Sequence, residues 1–220
     1  LLTRAGIDLS NCFTETQVTE ALSVYQAELK EGAPIIGRNL KAEAISFSEE
    51  LLNEIYGSIP VILFHEGNEG CFMNTAAIKK FQFTPTQCFS EGYWRLLRYL
   101  LKDTAFSVTE FKKYLKFMNS RGITSMKEMG FDDFYDFTDE LEKMEKNREL
   151  TARVSFMSQP VGAPLNLDFG KKMRHKFQGD FVHFSGYNQM TDGSISQIEG
   201  EMKEPYLCKN TCCDKKIDWI

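Results

Sequence analysis

From residue 122 onward the chain alternates short apolar stretches with longer amphipathic ones. Gly122-Ile-Thr-Ser-Met126 reads as a strand, and residues 134–150 as a helix with Asp139/Lys143 and Glu142/Lys146 pairs at i,i+4. Thr151-Ala-Arg-Val-Ser-Phe156 reads as the next strand and 167–177 as a helix. The segment running up to Asp192 reads as a last strand. Strand and helix in repeating order predict a parallel sheet wrapped by helices, because a parallel strand can rejoin its sheet only through a crossover.

The first half carries the same signals in looser order. Thr14-Glu-Thr-Gln17 has the spacing of a capping box, with Val18, Leu22, Tyr25 and Leu29 on one face behind it. Pro34-Ile-Ile-Gly37 is a short apolar segment, and Ser48 is an N-cap candidate for a helix bearing Leu51, Leu52 and Ile55. Pro60-Val-Ile-Leu-Phe64 is continuously apolar, as a strand buried on both faces in a parallel sheet must be. A Gly-rich loop at 67–70 leads to a helix start at Asn74. A further helix runs from about Ser90, with Trp94, Leu97 and Leu101 on one stripe, and Ser107-Val-Thr-Glu110 predicts a second capping box.

Length and charge narrow the function classes. A chain of 220 residues with 18 Phe can bury a substantial core. The net charge of −5, and the lack of a Lys/Arg block interleaved with exposed aromatics, argue against a nucleic-acid partner. No apolar run reaches the roughly 18 residues a membrane span requires, so no membrane partner is expected. Six cysteines in a chain of this size predict reduced thiols and a cytoplasmic setting, and Cys208, Cys212 and Cys213 lack the second knuckle of a structural zinc site. With no initiator Met and an abrupt Lys215-Lys-Ile-Asp-Trp-Ile220 end, the chain reads as a piece of a longer protein.

Asp192 and Ser194 directly follow a strand, where a β/α barrel carries its working groups, although Asp-Gly after a strand is also an ordinary turn. Glu128 sits at another such strand end. Glu69 is either a base in the Gly-rich loop or a solvated charge. His65 follows a strand as a lone histidine; His183, alternating with apolar residues, reads as packed, and His175 as solvated.

Several of these segments together resemble amidohydrolase family 3, the metal-dependent hydrolases that include N-substituted formamide deformylase-like enzymes. Thr191-Asp-Gly-Ser194 through Glu204-Pro-Tyr206 is similar to that family's G-V-K-x-x-x-D-G-S … E-P-Y block. Ser58-Ile-Pro-Val-Ile-Leu63 with Cys71-Phe-Met-Asn-Thr-Ala-Ala-Ile78 resembles P-V-x-L … G-H-x-x-x-x-N-S-x-A-L. Phe89-Ser-Glu91, Arg121-Gly-Ile-Thr-Ser-Met-Lys-Glu-Met-Gly130 and Leu150-Thr-Ala-Arg-Val154 follow in family order.

The resemblance implies an α/β fold: residues 1–220 as the central part of a (β/α)8 TIM-type barrel, with a helical insertion at approximately 38–120. It implies a metal-dependent hydrolase that cleaves the C–N bond of an amide or cyclic amide, with a divalent metal, zinc by preference, in the full-length protein. Asp192 and Glu69 become the catalytic candidates, and Asn74, Ser194 and Glu128 the substrate-binding ones. Asn188 stands where the family has a metal-binding lysine, and Glu69 where its loop has His. An asparagine cannot form the lysine carbamate, and only three His (65, 175, 183) are present, none in a His-x-His pair. No metal and no activity are therefore expected of this piece alone. The alternative is a barrel homologue without catalysis, acting as a scaffold or small-ligand binder. In both cases the partner is a small molecule, and a homodimer is a possible assembly, formed through an uncovered edge around Phe181, Phe184 and Tyr187.

Overall fold

The computed structural model describes residues 5–68, 70–85, 91–131, 135, 137–159, 164–189 and 201–204. Two separate sheets organise them. The first has the order β1 (Ile7–Asp8), β2 (Ile35–Leu40), β3 (Val61–His65), β4 (Cys71–Met73); β1, β2 and β3 run parallel, and β4 returns antiparallel to β3. The second comprises β5 (Ser125–Glu128), β6 (Arg153–Ser158) and β7 (Val182–Tyr187), all parallel. No closed barrel exists among the described residues. The α/β class with parallel sheets is as expected; the described strands of the expected central barrel piece fall in two separate sheets.

Helices cover both faces of the first sheet. Ile35, Val61 and Leu63 pack with Val18 and Leu22 of α1 (Glu15–Glu28) and with Leu52 and Tyr56 of α2 (Glu49–Tyr56). Ile36, Ile62 and Phe64 point the other way, onto Ala77 and Phe81 of α3 (Thr75–Phe81) and Leu96 and Leu100 of α4 (Glu91–Lys102). This explains the unbroken apolar run at 61–64: its four side chains, all buried, contribute on the order of 6 to 12 kcal/mol of gross hydrophobic stabilisation. The stretch 38–120 contains the helix α2 and the strands β3 and β4 before α3, and among its described residues only the part from α3 onward is free of strands.

The second sheet is covered on one face. Phe156, Val182 and Phe184 pack with Leu115 of α5 (Thr104–Ser120), Leu141 and Met144 of α6 (Thr138–Lys146), and Phe169 and Met173 of α7 (Leu167–Lys176). The opposite face carries Ser125, Lys127, Arg153 and Ser185, and His183 lies exposed on it. His183 is thus not packed, because its apolar neighbours Val182 and Phe184 take the inward positions of the two-residue strand period. Nor is the uncovered surface built from Phe184, which is buried against α7.

Local signals were met unevenly. Thr14 Oγ1 accepts from Gln17 N as the capping box requires, but Gln17 Oε1 reaches Phe13 N, one residue before the cap. Ser48 caps α2 as expected. The second box is not a helix start: Asp103 caps α5 by accepting from Phe106 N. Ser107 is already one turn inside that helix, with its hydroxyl donating back to the Asp103 carbonyl. Lys143 pairs with Glu140, and Asp139 instead with Lys176 across to α7. No helix among the described residues is long and apolar enough to cross a membrane.

Candidate functional site at the carboxyl ends of the second sheet

Three consecutive parallel strands must end on the same side, so whatever follows β5, β6 and β7 is brought together. Glu128 is the last residue of β5, Gln159 follows β6 and Asn188 follows β7. The Asn188 backbone N donates to Ser158 O at 2.8 Å, extending the β6–β7 ladder by one bond. Asn188 Nδ2 donates to Gln159 Oε1 at 2.9 Å and to Met129 O at 3.3 Å, so one carboxamide ties all three strand ends together. Phe131 N, beyond β5, donates to Met157 O at 2.9 Å. Glu128 is exposed, with Oε1 accepting from Gly130 N at 3.1 Å, and its carboxylate is held at the rim.

Asn188 and Glu128 thus stand on one rim, as the sequence predicts for strand ends of a parallel sheet. Gln159 was missed: a single Gln after a strand carries no pattern, and only the register of β6 with β7 reveals it. Asp192, Ser194 and Glu69 lie outside the described residues.

Asn74 lies at the amino end of β3, away from these strand ends. It is fully buried at the N-cap of α3: its Oδ1 accepts from Val61 N and Ala77 N, both at 3.0 Å, and its Nδ2 donates to Ile59 O at 2.8 Å. A carboxamide spent in this way, out of reach of solvent, joins β3 to α3.

The carboxyl ends of the first sheet form a second rim. Asp8 accepts from Ser10 N at 3.0 Å and from Asn39 Nδ2 at 3.1 Å, and these bonds, the one from Ser10 foremost, hold its carboxyl below the usual range. His65 ends β3 with its ring 4.5 Å from that of Phe72 and its Nε2 buried without a hydrogen-bond partner. Desolvation pushes this imidazole below the ordinary histidine pKa, so it is neutral at pH 7. Gly70 lies against its ring: a Cβ there would sit 2.6 Å from Nδ1.

Zinc prefers imidazole, thiolate and carboxylate donors. Among the described residues no three His, Cys, Asp or Glu side chains come together. One carboxylate and two neutral carboxamides at the second-sheet rim do not fit such an ion.

No family model matches this sequence, and no curated protein matches it. Two solved structures are similar in fold. A metal-dependent hydrolase from Pyrococcus horikoshii OT3, itself uncharacterised, aligns with a TM-score of 0.62 and 16% identity, over 89% of this chain and 41% of that one. An uncharacterised metal-dependent hydrolase from Pyrococcus furiosus aligns with a TM-score of 0.58 and 17% identity, over 89% of this chain and 42% of that one. The chain therefore spans under half the length of these structures, and the likeness is one of fold.

Proposed function

We propose that the chain forms the substrate-facing part of the mouth of a metal-dependent hydrolase, and that the whole protein cleaves the C–N bond of an amide or cyclic amide. The observation that carries this reading is the bonding of Asn188 to Gln159 and to the Met129 carbonyl, next in chain to Glu128, at the ends of three parallel strands within a fold similar to that of metal-dependent hydrolases. An amide offers one carbonyl acceptor and one N–H donor. The Gln159 carboxamide N–H complements the carbonyl, and the Glu128 carboxylate complements the N–H. Asp192 and Ser194, four and six residues past Asn188, are proposed to act at the same mouth, with Glu69 as a further acid–base candidate. The divalent metal, zinc by the resemblance, would need ligands other than the three rim residues.

One observation favours a second reading. Both hydrogens of the Asn188 amide are already engaged, by Gln159 and by the Met129 carbonyl, an arrangement that fits a structural tie in a scaffold better than a catalytic group. The protein would then be a non-catalytic relative. Metal analysis of the whole protein, combined with a panel of linear and cyclic amides, separates the two. The hydrolase reading expects a firmly held stoichiometric divalent metal and turnover of at least one amide. A metal-free, well-folded protein that turns over none leaves the non-catalytic relative.

A further inference from the structure

A different surface, remote in character from the rim and independent of the reading above, is built from α3 and α4. Lys80, Gln82, Arg95, Arg98, Tyr99 and Lys102, over Phe81, line an open surface cavity of about 320 Å³. Residues 95, 98, 99 and 102 fall at helical spacing on one stripe of α4, opposite the face that buries Leu96 and Leu100. Like charges at this spacing repel one another along a helix. The helix dipole accounts for cations at helix ends, such as Lys80 and Lys102. Arg95 and Arg98 sit mid-helix, where it does not.

Two of the cations are held in place by neutral groups. Lys80 Nζ donates to Gly32 O at 2.8 Å and stands 4.7 Å from the centre of the Tyr99 ring. Arg95 Nη1 donates to Gln82 O at 2.6 Å, a carbonyl presented where the chain turns left-handed at Gln82, φ 55°. Carbonyls and rings orient a cation without cancelling its charge. Among the described residues no carboxylate lines the cavity. Asp103, the next residue past Lys102, pairs with Lys30 instead, at 3.5 Å.

We propose that this cavity binds a small phosphate-bearing anion. Guanidinium groups grip phosphate oxygens in pairs, and lysines add point charge around them. The net charge of −5 opposes a long polyanion such as nucleic acid while leaving a small one free to enter.

Calorimetric titration of the whole chain with inorganic pyrophosphate at low salt, about 50 mM, tests this. Saturable binding is expected, weakened about tenfold by Arg95→Gln with Lys102→Gln, and to a smaller extent by Lys102→Gln alone should the double variant melt early. Lys113→Gln with Lys146→Gln removes equal charge from surface pairs with Glu110 and Glu142 and is expected to leave affinity unchanged. The proposal is overturned by absence of saturable binding. It is also overturned if the Lys113/Lys146 pair weakens binding equally, or if a single-stranded oligonucleotide binds more tightly than pyrophosphate.

Discussion

Asn74, fully buried, and His65, half-buried with its Nε2 enclosed, show how single polar groups bear on this fold. Replacing Asn74 by Ala removes the α3 cap and leaves the Val61 N–H without its side-chain acceptor inside the core. Together these are expected to cost about 2 to 4 kcal/mol, read as a lower midpoint in urea unfolding. His65 makes a prediction in pH. Its folded pKa lies below the unfolded value of about 6.5, so the unfolded chain takes up its proton first as pH falls. Its contribution is complete above that value and is lost as pH falls through it toward the folded pKa. Thermal melts between pH 7 and 5 are expected to show the decline, and His65→Phe to flatten it. A wild-type melt constant over that range would remove His65 from the account. Asn74 also shows what one sequence withholds: a carboxamide between a strand and a helix suits an N-cap and a ligand contact equally. The bonds to Val61 and Ile59, 13 and 15 residues away, decide the matter.

At the scale of elements, α7 against β7 is the most tightly fitted contact. Gly170 lies mid-helix, where Ala would ordinarily gain about 1 kcal/mol in helix propensity. Here a Cβ would come within 2.0 Å of Tyr187 Oη and 2.9 Å of the Phe184 ring. Tyr187 Oη is itself held, donating to Leu167 O at 3.0 Å. Overpacking of this kind costs about 1 to 3 kcal/mol, so Gly170→Ala is expected to lower the melting temperature despite its better propensity. An unchanged or higher value would mean that Tyr187 moves aside freely. Elements of this kind were largely legible, because strand and helix periods are local: β3, β6, α1, α2 and α7 lie close to where the sequence puts them. Misplacements came where a second local bond competed. Asp103 caps α5 ahead of Ser107, and Gly122, with φ 75°, turns the chain so that β5 begins only at Ser125.

The whole molecule was less legible, since sheet partners depend on contacts far apart in sequence. A barrel and two open sheets place nearly the same periods along the chain. What separates them is coverage: the first sheet has apolar helices on both faces, whereas the open face of the second is polar. Of the residues expected to drive association, Phe184 is buried, whereas Phe181 is exposed and Tyr187 half-buried. The two sheets leave two candidate rims, Glu128 with Gln159 and Asn188 on one sheet, Asp8 with Asn39 and His65 on the other. We propose that substrate binds at the first. The direct test is kcat/KM of the whole protein toward an amide that it hydrolyses, with Glu128→Gln compared against Asp8→Asn. Losing a charged hydrogen bond to substrate is expected to lower kcat/KM about 10- to 100-fold for Glu128→Gln, with Asp8→Asn near wild type. A full loss in Asp8→Asn with Glu128→Gln unaffected would contradict the assignment and move the site to the first sheet.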